Sequence, residues 1–243
     1  MERYIGTSGF FYWEWKGRFY PEDLKPSKWF EFYTGVFNTV ELNSTFYKFP
    51  EKKNLRRFYN QAPEGFKISL KVNRQITHEK RLKDVSQLLD RFYLEVEQGL
   101  GEKLGAILFQ MPPSFRFTEK NIERVQKAVN PDFLIVFEFR HPSWWDDRVY
   151  NLFRERDIIF CSVSAPRLPE DYVEINKKAY IRFHGREKWY RYNYSREELM
   201  EWARKARSAE LLYAYFNNDF DAHAPDNAAL FRSLINDEIE DTK

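Results

Sequence analysis

Short apolar runs rich in β-branched and aromatic residues alternate along the chain with segments whose apolar residues recur every three or four positions. The apolar runs have the length and composition of buried strands, and there are eight of them: YIGTS, TVELN, FKISLKV, GAILFQM, LIVFEF, IIFCSV, AYIRFHG and LLYAYFN. The segments between them predict helices over residues 27–36, 52–61, 82–98, 119–129, 146–155, 196–207 and 226–234. The stretch 165–178, after the sixth strand, is the poorest helix candidate.

This alternation is not interrupted by a linker, a repeat or a low-complexity stretch. Eight successive β/α units predict an α/β fold, a single (β/α)₈ TIM barrel over residues 1–236, with an open doubly wound sheet as the alternative. Residues 237–243 are interpreted as an acidic C-terminal tail. In both architectures ligands bind where the strands end at their carboxyl termini.

Strand alternation predicts which side chains face the barrel axis, because successive strand residues point to opposite faces. In LIVFEFRH the apolar positions are Ile135, Phe137 and Phe139, which leaves Glu138 and Arg140 facing inward. The same division assigns a polar inward set to the other strands: Glu41, Asn43, Ser69, Lys71, Gln110, Ser162, Ser164, Arg182, His184, Tyr215 and Asn217.

Such a polar interior is unusual, because barrel cores are normally filled by branched apolar side chains and unpaired buried charges are costly. One interpretation is a self-sufficient structural network in which Glu41 and Glu138 pair with Lys71, Arg140 and Arg182. The other is a polar cup, open to solvent at the carboxyl end, that suits a multiply charged or hydroxylated ligand.

Two loop segments add candidate chemistry. In FRHPSWW, His141 follows the inward pair Glu138 and Arg140, and a nearby carboxylate such as Glu138 would orient it as a general acid or base. In YIRFHGREKWYRYNYSRE, cations such as Arg186 alternate with aromatic rings, a pattern that suits phosphates and stacked bases or sugars. The structural alternatives are a histidine packed under tryptophan and a solvated loop that seals the barrel rim.

Composition narrows this picture only slightly. Lys and Arg number 39 against 37 Asp and Glu, and the net charge of +2 provides no global attraction to nucleic acid or membranes. The single cysteine, Cys161, lies in an apolar run, which excludes an intramolecular disulfide and favours a cytoplasmic location. No window approaches 18 uninterrupted apolar residues and no signal peptide is evident, so we expect neither membrane insertion nor secretion.

The segments GTSGFFYWEW, FNTVELNSTFYKFP, KVNRQITH, ILFQMPPSF, FEFRHPSWW, YIRFHGR and YFNNDFDAHAPDNA, taken in this order, resemble the signatures of the DUF72 (YecE-like) family. The resemblance covers nearly the whole chain and implies a (β/α)₈ barrel. The family has no established biochemical role. Its similarity to endonuclease IV-like barrels implies nucleic-acid binding or metal-dependent phosphodiester chemistry.

The predicted function is therefore binding of a phosphate-bearing ligand, a nucleotide or nucleic acid, with phosphodiester hydrolysis as a further step. The predicted catalytic residues are Glu41, Lys71, Glu138, His141 and His184, and the predicted ligand-binding residues are Asn43, Gln110, Arg140, Arg182, Arg186 and Asn217. A divalent metal is not favoured, because the inward cations would repel it. A non-catalytic nucleic-acid or partner-binding module and a carbohydrate isomerase or hydrolase remain alternatives.

Overall fold

A computed structural model describes residues 1–236, and the predicted tail at 237–243 lies outside the described residues. Eight parallel strands close into one barrel in sequence order, with β8 pairing β1. The strands are β1 Glu2–Ser8, β2 Thr39–Leu42, β3 Lys67–Lys71, β4 Leu104–Gln110, β5 Leu134–Glu138, β6 Ile159–Ser164, β7 Lys178–Phe183 and β8 Leu211–Phe216. The predicted TIM barrel is confirmed, and the open doubly wound sheet is wrong because no strand edge is left unpaired in the described barrel.

Helices cover the outside of the barrel: α1 Trp29–Val36, α3 Lys52–Gln61, α4 Ser86–Leu100, α5 Glu119–Ala128, α6 Asp147–Arg156, α7 Arg196–Ala206 and α8 His223–Asn236. The short helix α2 Ser44–Tyr47 follows β2 at the carboxyl end of the barrel. Three of these starts follow from local sequence, because Thr118, Asp146 and Ser195 cap α5, α6 and α7 through their side-chain oxygens. Within the described chain no helix connects β6 to β7, the stretch that was the poorest helix candidate in the sequence. None of the helices described over residues 1–236 is long and apolar enough to cross a membrane.

One predicted helix starts later than expected. The prediction began at Leu82, but Arg81, Leu82 and Asp84 all have positive φ angles, of 50°, 59° and 50°. Non-glycine residues seldom adopt this conformation, and it is incompatible with a right-handed helix. A π-helical turn at Gln75–Glu79 precedes these residues, so the chain leaves β3 in a compact loop before α4 begins.

The core has an outer layer between strands and helices and a smaller inner layer on the barrel axis. The inner layer includes Leu108, Val136, Tyr180, Tyr213 and Tyr215, which fill the axis on the amino-terminal side of the polar residues. Burying each large apolar side chain contributes about 1.5–3 kcal/mol. This inner layer therefore stabilises the barrel and forms the floor beneath the polar side chains.

The predicted inward positions are confirmed on β2, β3, β5, β7 and β8 but are wrong on β6. There the inner layer receives Ile159, Cys161 and Val163. Ser162 and Ser164 face the connection from β6 to β7, where Ser162 Oγ accepts a 2.8 Å hydrogen bond from the backbone N–H of Val173. A loop covers this strand in place of a helix, and the loop's polar groups need partners that an apolar surface would not provide.

Candidate binding site at the carboxyl end of the barrel

A fully buried arginine joins two carboxylates across the barrel. Arg182 on β7 donates to Glu138 Oε2 of β5 at 2.5 Å and to Glu41 Oε1 of β2 at 2.7 Å. All three side chains have 0% exposure. Charges this deeply buried are tolerated only when they are paired and hydrogen-bonded, so the three residues behave as one unit.

Both carboxylates have further partners. Glu41 accepts hydrogen bonds from Ser8 Oγ at 2.7 Å and from the Tyr180 hydroxyl at 2.5 Å, and Glu138 forms a second ion pair with Arg140 Nε. Burial acts to raise the pKa of Glu138, but Arg140 and Arg182 outweigh it and hold the pKa well below its usual value. Glu138 is therefore a permanent anion, which fixes the neighbouring cations and is unsuited to donate a proton.

His184 is neutral in this surrounding. Burial, followed by the nearby Arg140 guanidinium, lowers its pKa to about 3. Arg140 Nη2 lies 3.1 Å from His184 Nε2, and the Asn217 amide lies 3.0 Å from Nδ1. The Asn217 atom that faces Nδ1 is the amide nitrogen Nδ2, so a donor stands against each ring nitrogen and both donors disfavour protonation of the ring. This arrangement makes His184 a support for Arg140 and Asn217 rather than a proton donor.

Above this layer lies a cavity of about 400 Å³ at the carboxyl end of the barrel. It is lined by Tyr12, Asn43, Tyr47, Lys71, Gln110, Arg140, Arg182, Tyr190, Asn217 and Asp219. The structure therefore brings together six of the predicted residues: Asn43, Lys71, Gln110, Arg140, Arg182 and Asn217. Glu41, Glu138 and His184 lie directly beneath them and fix the arginines.

Lys71 is the cation of this cavity that has no counter-ion. Within the described chain no carboxylate lies within ion-pair distance of its amine, which instead lies 4.0 Å from the centre of the Phe46 ring. Burial, followed by repulsion from Arg182, lowers the pKa of Lys71 to about 7. An anion entering the cavity would relieve both effects, because it would supply the missing opposite charge.

Asp219 is a site residue that was not predicted. It follows β8, lines the cavity, and has its pKa raised to about 6 by burial. Its backbone carbonyl accepts from Trp15 Nε1 at 3.2 Å, which ties this loop to the one after β1. Tyr12 and Tyr47 were also missed, whereas Tyr190 was predicted only as part of the basic aromatic segment after β7. The sequence signal of Tyr12 and Tyr47 was a position shortly after a strand, and aromatic residues occupy many such positions in this chain.

The remaining two predicted site residues lie neither in the cavity lining nor directly beneath it. His141 Nδ1 accepts a 3.1 Å hydrogen bond from the Ser143 N–H and caps the turn Pro142–Trp144. Its predicted pairing with Glu138 is wrong, because Glu138 points into the barrel while the chain turns away at Pro142. Arg186, predicted to bind ligand, instead forms ion pairs with Glu170 at 2.8 Å and Glu198 at 3.1 Å.

The loop after β7 covers one side of the cavity. Gly185 has a φ of 103°, and a Cβ there would lie 2.2 Å from the Lys188 carbonyl oxygen, so the turn requires glycine. The turn places the Trp189 ring 4.6 Å from the Arg140 guanidinium carbon and Tyr190 against the cavity. Part of the basic aromatic segment thus packs on the site, while Arg191 stacks on Phe220.

The metal implied by the resemblance does not fit the residues present. Among residues 1–236 no group of three or more His, Cys, Asp or Glu side chains is placed to hold an ion. Glu41 and Glu138 are bound to arginines, and His184 Nε2 faces a guanidinium. A divalent cation here would compete with two fixed positive charges.

The model of the family described as "Protein of unknown function DUF72" matches residues 4–243. The chain belongs to the DUF72 family. The UPF0759 protein YunF of Bacillus subtilis (strain 168) is 25% identical over 268 residues, which cover 96% of this chain and 94% of YunF. The UPF0759 protein YecE of Escherichia coli (strain K12) is 26% identical over 116 residues, 47% of this chain and 42% of YecE.

Solved DUF72 structures share the barrel. The DUF72 family protein TM1631 from Thermotoga maritima MSB8 has a TM-score of 0.88 and 30% identity, covering 98% of this chain and 100% of that one. The Enterococcus faecalis V583 protein EF0366 has a TM-score of 0.83 at 21% identity, covering 96% and 95%, and supports the fold alone. The names of these relatives state a family and no activity.

Proposed function

We propose that the cavity of this DUF72 barrel binds the phosphate group of a small phosphate-bearing ligand. The observation that carries the proposal is the half-buried Lys71, which lines the cavity and has no carboxylate partner among the described residues. The charges of Arg140 and Arg182 are balanced by Glu138 and Glu41, so Lys71 supplies the uncompensated positive charge. Asn43, Gln110 and Asn217 add amide groups that can hydrogen-bond phosphate oxygens.

The same geometry argues against the carbohydrate alternative. Glycoside hydrolysis uses two carboxyl groups, one of which must act as an acid. Glu41 and Glu138 lie beneath the cavity in ion pairs, and the pKa of Glu138 is held too low for it to act as an acid. Lys71 and Asp219, with pKa values of about 7 and about 6, are the lining groups suited to exchange protons with a bound ligand near neutral pH.

The proposal includes a reducing compartment such as the cytoplasm. Cys161 is fully buried in the inner layer of the barrel and is a free thiol. Burial raises the pKa of this thiol well above its usual value, which keeps it protonated and unreactive.

The test is calorimetric titration with methyl phosphate at pH 6.5. We expect Lys71→Met to weaken binding about tenfold or more, because a charge-assisted hydrogen bond contributes about 1.5–3 kcal/mol. The matched control is Lys80→Met, since Lys80 is an exposed lysine of the same connection, and it should leave the affinity unchanged. Equal affinities for wild type and Lys71→Met would refute the proposal.

Two further ligands separate the alternatives. Sorbitol should neither bind nor compete, and competition by sorbitol without competition by inorganic phosphate would favour a carbohydrate ligand instead. An oligonucleotide that binds with strong salt dependence but is indifferent to Lys71→Met would favour a nucleic-acid-binding module that does not use the cavity.

A further inference from the structure

A second, apolar cavity adjoins the polar one. It has a volume of about 350 Å³ and is lined by Gly9, Phe10, Phe11, Tyr12, Leu42, Asn43, Ser44 and Phe58. We call these residues the aromatic cleft. Tyr12 and Asn43 line both cavities, so a ligand that extends past them from the polar cavity enters the aromatic cleft.

The wall between the two cavities is held firmly. The Tyr12 hydroxyl donates a 2.6 Å hydrogen bond to the carbonyl of Ser8. The Ser8 hydroxyl in turn donates to Glu41, one of the two buried carboxylates. Gly9 has a φ of 89°, and a Cβ there would lie 2.7 Å from the Tyr12 hydroxyl oxygen. Glycine is therefore needed to let Tyr12 fold back between the cavities.

The walls of the aromatic cleft suit a flat ring. The ring centroids of Phe10 and Phe58 lie 6.0 Å apart at an interplanar angle of 80°, and Phe11 leaves 52% of its surface exposed. Edge-to-face walls of this kind accept another aromatic ring at favourable geometry. A volume of about 350 Å³ lies within the range of small-molecule sites.

Asn43 supplies an independent indication of a ligand. Its side-chain oxygen is out of contact with solvent and has no hydrogen-bond donor among the described residues. Buried acceptors are normally paired, and Asn43 lies where the two cavities meet. A ligand N–H group at this point would satisfy the oxygen.

We infer that the aromatic cleft is a second subsite, which takes a planar aromatic ring of the same ligand whose phosphate occupies the polar cavity. This inference rests on the proposed phosphate binding and specifies its substrate class as an aryl phosphate, an organic phosphate with a planar ring that carries an N–H donor. The phosphate is held by Lys71, the ring packs against Phe10 and Phe58, and the N–H donates to Asn43.

The experiment compares methyl phosphate, phenyl phosphate and 3-aminophenyl phosphate by calorimetry. Burying the added ring should make phenyl phosphate bind about tenfold tighter than methyl phosphate or better, and the amino group should strengthen binding further. Ser44→Trp fills the cleft from an exposed position at the start of α2, and should abolish the advantage of phenyl phosphate while leaving the affinity for methyl phosphate unchanged.

The matched control is Ser86→Trp, which introduces the same side chain at the exposed first residue of α4. It should leave all three affinities unchanged. If methyl phosphate binds but phenyl phosphate binds no tighter, or if Ser44→Trp affects both ligands equally, the subsite is refuted and the proposed function stands. If neither phosphate binds, the proposed function itself fails.

Discussion

Replacing Arg182 with methionine removes the cation that joins the two buried carboxylates. Arg182 lies 2.5 Å from Glu138 Oε2 and 2.7 Å from Glu41 Oε1, and all three side chains have 0% exposure. Removing one partner of a buried ion pair costs about 3–5 kcal/mol. Arg140 compensates only Glu138, so Glu41 is left without a cation. We therefore expect the free energy of unfolding at pH 7 to fall by about 5 kcal/mol.

Urea unfolding followed by tryptophan fluorescence and circular dichroism measures this loss. The double variant Arg182→Met/Glu41→Gln removes the unpaired charge, so its free energy of unfolding should be about 2 kcal/mol or more above that of Arg182→Met. If Arg182→Met does not fold at neutral pH, folding of the double variant provides the comparison. The control is Lys205→Met, which breaks an exposed pair with Glu201 and should change stability by less than about 0.5 kcal/mol.

The pH dependence tests the cause. The folded pKa of Glu138 is lowered, so its ion pairs contribute stability that is complete above the unfolded pKa of about 4.3 and is lost as the pH falls through the folded pKa. In Arg182→Met the one carboxylate left without a cation is instead relieved by protonation. The stability difference between wild type and variant should therefore narrow as the pH falls from 7 toward about 4. A loss below about 1 kcal/mol, or a difference independent of pH, would refute the reasoning.

Three other predictions concern the site and its rim. The pKa of Lys71 in the protein without ligand is about 7, and phosphate binds the protonated amine, so the affinity for methyl phosphate should fall about tenfold per pH unit above 7. Calorimetry from pH 6 to 9 measures this fall, and Lys71→Arg should abolish the pH dependence. The folded pKa of His184 is lowered, so its contribution to stability is complete above about pH 6.5 and declines below it. His184→Asn should therefore flatten the loss of stability between about pH 6.5 and 4 in urea titrations, and an unchanged slope would contradict the assignment. Arg186→Met breaks the ion pairs that hold the β6 to β7 connection. Limited proteolysis within 165–177 should therefore become faster, while the affinity for methyl phosphate should change less than about twofold. An affinity loss as large as that of Lys71→Met would show that Arg186 binds the ligand.

The fold was predictable because its signal is local and repeated. Each strand is an apolar run buried on both faces, each helix has its own amphipathic pattern, and eight such units have few ways to close. The alternation also predicted that Glu138 and Arg182 face the axis. It failed on β6, where Ile159, Cys161 and Val163 are as apolar as an outer face would be, so the pattern of that strand alone could not distinguish its two sides.

The candidate site was only partly predictable. Lys71, Arg140 and Asn217 were recognised because each follows the inward alternation of its strand. His141 and Arg186 were assigned to the site from their positions after strands, but the direction of a loop side chain depends on the turn and the partners that the loop meets. Asp219 was missed for the same reason, since its burial results from contact with the loop after β1.

The sequence by itself determined the barrel, the positions of its strands and the accumulation of charge on its axis, because these follow from local periodicity and the cost of burying polar groups. The tertiary structure decided which charges cancel. Residues distant in sequence, Glu41, Glu138 and Arg182, meet only when the barrel closes, and their pairing engages both carboxylates beneath the cavity. That closure leaves Lys71 as the unneutralised cation of the cavity, because electrostatic compensation depends on distances of a few ångströms that no sequence pattern specifies.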